Sequence, residues 1–231
     1  DLMSENGYYA FYKEAYGAVL SGILGEYTKA APDGEGGIKV VEGYGMKAYS
    51  PVAEGFWFSH YDDFGVSRSY GYKRRHLGND LMGSIGTPIV AIEGGTVEAL
   101  GWNRYGGWRL GIRSHDKKRS YYYAHLRKDR PYAKGIAEGV TVKPGQVIGY
   151  MGMTGYSTKE NVNGMNVPHL HFGMQLVFDE SQKECNSEIW IDVYNIVRLL
   201  NNHRSSVKKI DGIYTRVYPF VDLDTQMLLE G

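Results

Sequence analysis

The chain has 231 residues, with 26 basic side chains matched by 26 acidic ones. That length supports one substantial domain with additions or two small ones, and the charge balance removes the electrostatic case for nucleic acid or an anionic membrane as partner. A single cysteine, Cys185, excludes an internal disulfide and a multi-cysteine metal site.

No uninterrupted apolar run is long enough to cross a bilayer, and the opening "DLMSENGYYAFYKEAYG" lacks the basic-then-apolar layout of a secretory signal. Glycine and tyrosine are abundant, at 31 and 20. Glycine among aromatic and β-branched residues fits short strands joined by tight turns, so the middle of the chain is expected to be mostly β.

Residues 4 to about 30 carry apolar or aromatic groups at Tyr8, Tyr12, Ala15, Tyr16, Val19, Ile23 and Tyr27, the spacing of one helical face. Each glycine there costs about 1 kcal/mol against alanine in a helix, so one long helix and two short ones are equally admissible. "APDGEGG" then reads as a linker or exposed loop. Beyond residue 38, "GTPIVAIEGGTVEALGW" predicts two strands joined around Gly94 and Gly95, and "RLGIRSHDKKRSYYYAHL" a hairpin with "HDKK" at its tip. "VKPGQVIGYMGMTG" adds a turn at Pro144 and Gly145 before another strand. In "NVPHLHFGMQL", alternation sends His169, His171, Gly173 and Gln175 to one face and Leu170, Phe172, Met174 and Leu176 to the other, the pattern of a half-buried strand.

"EIWIDVYNIVRLLNNH" has helical spacing, with His203 near its end, where a cation meets the negative pole of the helix dipole. "GIYTRVYPFVDL" fits one more strand. The expected fold class is mainly β, α+β overall: an antiparallel sheet or small barrel-like core with a helical N-terminal segment and a C-terminal helix. The corresponding units are 1–37, 38–187 and 188–231.

Of the seven histidines, His60, His115 and His203 suit structural or solvated roles. His76 opens "HLGND", four residues before Asp80. A helix would put the two on one face, but Gly78 and Asn79 favour a turn leading into a strand. His125 ends "YYYAHL", where alternation gives it the face of Tyr121 and Tyr123. Each of these residues alone is explained by an ion pair or a packed ring. Together with His169 and His171 they meet the needs of a catalytic zinc, which takes three nitrogen or oxygen ligands and keeps a fourth position open. His76, Asp80 and one histidine of "HLH" complete that count, and two histidines remain for proton transfer.

The order and wording of the motifs resemble the lysostaphin-type (LytM-like) zinc endopeptidases, which cut peptide cross-links in bacterial cell walls. The resemblance runs from about Gly65 to Gln175 through "FGVSR", "HLGND", "GTPIVAIEGGTVEALGW", "YAHL", "VKPGQVIGYMGMTGYST" and "PHLHF". It implies that His76, Asp80 and His171 hold one Zn²⁺ and that His125 and His169 stand beside the metal without binding it. One of those two is expected to accept a proton from the attacking water while the other hydrogen-bonds the oxyanion, with His125 preferred as the base. The partners implied are peptidoglycan stems and cross-bridges, met by a monomer outside the cell, and the native signal or anchor is expected to be missing from this chain.

The chain departs from the family pattern at "KENVNGMNV", residues 159–167, which separates "TGYST" from "PHLHF". Trp102, Tyr105 and Trp108 are expected to line a groove, because their Gly-rich segment reads as a loop. A catalytically silent wall-binding or partner-binding module is the alternative reading. A biotinyl or lipoyl carrier, suggested by "GGTVEAL", lacks its attachment lysine.

Overall fold

The computed structural model describes residues 5–70, 72–183, 187–217 and 220–221; Cys185 and residues 222–231 lie outside them. The chain begins with α1 (Tyr9–Leu20), β1 (Leu24–Pro32) and β2 (Ile38–Met46). The expected helical segment therefore ends ten residues early. Residues 24–32 pair residue by residue with β2, from Leu24 opposite Met46 to Pro32 opposite Ile38, and the partner strand satisfies their backbone groups. Of the two readings of "APDGEGG" the exposed loop holds: residues 33–37 are the turn of this hairpin, where Asp33 Oδ1 accepts from the N–H groups of Glu35 and Gly37, both at 2.8 Å. A boundary at residue 37 thus falls within the turn.

The predicted apolar face of α1 is not its buried face. Tyr8, Tyr12 and Tyr16 are exposed, and within the helix only Ala18 is buried. Helical spacing identifies which side chains share a face but not whether another element covers it. The helix end is instead held by Arg119, whose Nη1 donates to Ala18 O (2.7 Å) and Ser21 Oγ (2.8 Å) while its Nε pairs with Glu93 (2.9 Å).

The strands that follow are β3 (Ser59–His60), β4 (Ser67–Tyr70), β5 (Tyr72–Arg75), β6 (Asn79–Met82), β7 (Pro88–Val90), β8 (Gly95–Asn103), β9 (Gly107–Ser114), β10 (Arg119–Ala124), β11 (Thr141–Val142), β12 (Val147–Tyr150), β13 (His169–Leu176) and β14 (Ile189–Ile191). After them come α2 (Tyr194–Leu200), β15 (Val207–Ile210), β16 (Ile213–Arg216) and β17 (Phe220–Val221). The main sheet has the order β11-β8-β9-β10-β13-β6-β3, with β14 also paired to β13, and its pairings are antiparallel.

One face of this sheet forms the core. Val97, Leu110, Ile112, Tyr121, Tyr123, Leu170, Phe172 and Met174 bury there against Ile89, Ile92, Met151 and, from α2, Val197 and Leu200. Burying side chains of this size contributes about 1.5–3 kcal/mol each, which fixes the register of β13 and with it the direction in which His169 and His171 point. β13 is covered on both sides rather than half-buried, since Gln175 and His169 are as inaccessible as the core leucines.

Three local expectations change. "EIWIDV" is not the start of the C-terminal helix: Ile189–Ile191 pair with Met174–Leu176, as their β-branched and aromatic side chains favour, and α2 begins only at Tyr194. His203 does not cap that helix with charge. Its ring stacks on Tyr49 at 4.3 Å and donates to Ala48 O, and burial lowers its pKa. Trp102 and Trp108 are cross-strand partners in the β8–β9 hairpin and pack edge to face at 5.7 Å, so their segment is sheet rather than loop.

Candidate metal centre

Two strand ends and one turn build the site. Asp80 and His171 are direct cross-strand partners of β6 and β13, so the sheet register alone brings a carboxylate beside an imidazole. His76 leaves β5 at the turn into β6, as Gly78 and Asn79 predicted, and its backbone is fixed by bonds to Val66 O (2.9 Å) and from Gly65 N (2.7 Å). A Cβ on Gly78 would lie 2.5 Å from Phe172 O and 2.8 Å from the His171 ring; glycine there permits the close approach.

Three donor atoms converge. His76 Nε2 lies 2.8 Å from His171 Nδ1 and 3.1 Å from Asp80 Oδ1, and His171 Nδ1 lies 3.4 Å from the same oxygen. His76 Nδ1 faces the Asp63 carbonyl at 3.0 Å and the Asp63 carboxylate at 3.2 Å. It therefore carries the hydrogen, and Nε2 presents a lone pair. Asp80 Oδ1 is buried yet accepts no well-aligned hydrogen bond. Ligands of tetrahedral zinc at about 2.0–2.1 Å stand about 3.3 Å apart, and the three separations bracket that value. The donor set fits zinc, and no other cluster of this kind occurs among the described residues.

Without an ion the two carboxylates favour a second proton on His76, which a metal would displace from Nε2. Burial alone would lower the His76 pKa, but hydrogen bonds to Asp63 and Asp80 and their charges outweigh it and raise the group to about 9. Burial likewise opposes ionisation of Asp80, and hydrogen bonds with His171 and His76 reverse that and hold its carboxyl well below the usual range. His171 is lowered, chiefly by burial.

His125 and His169 use the same device. His125 Nδ1 donates to Thr154 O at 2.7 Å and His169 Nδ1 to Val167 O at 2.8 Å, leaving both Nε2 atoms as acceptors. His169 Nε2 is buried without a partner, 3.9 Å from Asp80 Oδ1. The two rings lie 4.7 Å apart, and His125 is 6.1 Å from His171. Simple alternation would have sent His125 into the core with Tyr121 and Tyr123. Instead β10 ends at Ala124 and His125 takes φ 59°, an uncommon angle for a non-glycine residue, which turns its ring onto the opposite face. Burial then holds its pKa well below the ordinary histidine value, with the neighbouring His169 and His171 adding to the effect.

Sequence reasoning missed the residues behind the ligands. Arg68 Nη2 donates to Asp63 Oδ2 (2.6 Å) and Asp80 Oδ2 (3.1 Å), clamping both carboxylates. "FGVSR" signalled Arg68 as part of a motif, whereas Asp63, thirteen residues before His76, had no local signal. The five site residues share a small cleft with Arg68, Arg74, Tyr105, Tyr122, Tyr156 and Met165. Tyr105 is thus the one groove residue kept from the expected aromatic trio. The inserted loop 159–167 folds back on this rim: Asn161 accepts from Trp108 Nε1 and Asp129 N, both at 2.9 Å, and Met165 reaches the cleft.

Residues 74–185 match the model of peptidase family M23. The L-Ala–D-Glu endopeptidase of Bacillus subtilis is 44% identical over 118 residues, 51% of this chain and 34% of that protein, so the chain spans about a third of this curated relative's length. The structure of a LytM-type glycyl-glycine endopeptidase from Ruminococcus gnavus is 34% identical, with TM-score 0.56, covering 68% of this chain and 62% of that one. The catalytic domain of lysostaphin from Staphylococcus simulans is 31% identical, covering 61% of this chain and 92% of that one, with TM-score 0.46. The matched stretch holds His76, Asp80, His125, His169 and His171, and together with the identity to the Bacillus and Ruminococcus proteins it shows that residues 74–185 form a domain of peptidase family M23.

Proposed function

We propose that the chain is a zinc-dependent endopeptidase that hydrolyses peptide cross-links of bacterial peptidoglycan, acting as a monomer outside the cytoplasm where that substrate lies. The observation that carries the reading is the convergence of His76 Nε2, Asp80 Oδ1 and His171 Nδ1 in the cleft that the His125 and His169 rings share. All five side chains come from one chain, so no partner copy is needed to complete the site.

His76, Asp80 and His171 would hold the metal. Zinc supplies a Lewis acid at neutral pH, acidifying water and polarising a carbonyl. His125 is the base: burial keeps it neutral, its Nδ1–H is engaged with Thr154 O, and Nε2 accepts a proton from the attacking water and returns it to the leaving amine. His169 steadies the oxyanion. Because its Nδ1–H is committed to Val167 O, it donates from Nε2 only as the imidazolium. Arg68 and Asp63 orient the ligands.

Zymography of the zinc-loaded chain on purified walls tests the reading. Clearing that disappears in His169→Ala at full zinc content is the expected result. Binding to walls with no clearing and no released peptide fragments would instead make the chain a silent binding module.

A further inference from the structure

From His171 a groove of about 550 Å³ runs across the face of the main sheet opposite the core. Its floor is low because glycines stand where side chains would: Gly173, Tyr122, Gly111 and Ala99 are successive cross-strand partners. Trp190 forms one wall, packed edge to face on Tyr122 at 6.2 Å and held by Glu188, which accepts from its Nε1 at 2.8 Å. A Cβ on Gly173 would lie 2.8 Å from the Trp190 ring, so the glycine seats that wall.

The charge of this groove is unlike that of the whole chain. Four cations line it, Arg74, Arg75, Arg109 and Lys183, against Glu98 and Glu188. Lys183 pairs with Glu98. Among the described residues neither Arg74 nor Arg109 has a carboxylate partner, and the Nε atom of each is buried without a hydrogen bond. Gln175, at 5% exposure on the same face, also has an unpartnered Nε2. Unpaired buried donors are costly, and three along one trough meet no acceptor among the described residues.

We propose that Arg109, supported by Arg74 and Gln175, is a subsite for a free carboxylate on the peptide stem, so that the enzyme selects acidic stems over uncharged bridges such as oligoglycine. This rests on the peptidase reading and adds the specificity to it. Arg109 lies two residues from Gly111 on β9, and His171 lies two residues from Gly173 on β13, with β10 between them. Two interstrand steps put their backbones about 10 Å apart. An extended peptide rises about 3.3 Å per residue, so the carboxylate read by Arg109 belongs to a residue two or three positions from the scissile bond. Arg74 is braced for the same role at the cleft mouth: its guanidinium lies 5.1 Å from the Tyr105 ring, and Nη2 donates to Tyr156 OH at 2.8 Å.

The test uses two synthetic stem peptides that differ only in a D-glutamyl carboxylate or its amide at that position. Wild type is expected to favour the acid form by about 10- to 100-fold in kcat/KM, chiefly through KM, as for a charge-assisted hydrogen bond. Arg109→Gln brings the acid-to-amide ratio close to one and Arg109→Lys restores part of it, with zinc content and unfolding midpoint unchanged. Equal rates on both peptides in wild type, or a ratio that survives Arg109→Gln, would overturn the subsite. Equilibrium binding of the same pair to His169→Ala separates the two levels: acid-selective binding by that variant, together with no cleavage of either peptide by zinc-loaded wild type, upholds the subsite while removing the peptidase reading.

Discussion

Asp63 grips His76 at one nitrogen through two oxygens, its carbonyl at 3.0 Å and its carboxylate at 3.2 Å from Nδ1. The same carboxyl accepts from Arg68 at 2.6 Å and, through Oδ1, from Asp80 N at 3.2 Å. One side chain thus orients a ligand imidazole and the strand that carries the ligand carboxylate. Partners of this kind are worth about 10- to 100-fold in metal affinity. Asp63→Ala is expected to weaken zinc by that factor while leaving the fold intact, as measured by competition with a chelator of known affinity. Unchanged affinity would show that the backbone carbonyl alone orients the ring.

Ligands and proton-transfer residues separate by their response to substitution. His76→Ala or His171→Ala should lose stoichiometric zinc. His125→Ala or His169→Ala should keep it and lose about 10²- to 10⁴-fold in turnover. Metal content by mass spectrometry beside single-substrate kinetics distinguishes the classes, and removal of zinc by a chelator should abolish activity that added zinc restores. Full zinc retained by His171→Ala would break the ligand assignment.

Gly78 has a steric rather than an electrostatic duty. Its missing Cβ leaves room for a backbone oxygen and for the His171 ring, and the oxygen, belonging to β13, cannot yield. In Gly78→Ala the ring must move, so zinc affinity should fall at least tenfold with little loss of secondary structure. Isothermal titration with zinc, set beside circular dichroism, reads both quantities.

Stability should depend on pH through His203. Its pKa in the fold is lowered, first by burial and then by the charges of Lys29 and Arg216, with the Ala48 carbonyl opposing. The unfolded chain, with histidine near 6.5, then binds more protons than the folded one as pH falls below that value, so this contribution is present above about pH 6.5 and lost towards the lower folded pKa. Denaturant unfolding at pH 7.5 and 5.5 should show a smaller loss of stability in His203→Gln than in wild type. Other histidines whose pKa is lowered by partial burial, His60 among them, keep the remaining slope.

How much of this was legible in the sequence follows from the range of each interaction. "HLGND" and "HLHF" disclosed the donors because spacing within a turn or a strand fixes direction over two to four residues, and the short strands after residue 38 were marked by their own turn residues. Where a partner distant in sequence decides, local pattern failed: β1 reads as helix until β2 pairs with it, and the helical face that Tyr12 and Tyr16 share is exposed in the fold.

The sequence by itself therefore determined which side chains are available, four imidazoles and a carboxylate in short turn and strand motifs, together with the family whose motif order they follow. Only the tertiary structure decided that His76 and His171, ninety-five positions apart, meet at 2.8 Å, that a left-handed residue swings His125 out of the core, and that Asp63 stands behind His76 and Asp80. The physical reason is that donors are properties of residue types, whereas their convergence depends on strand register and core packing, which are settled by contacts across the whole sheet.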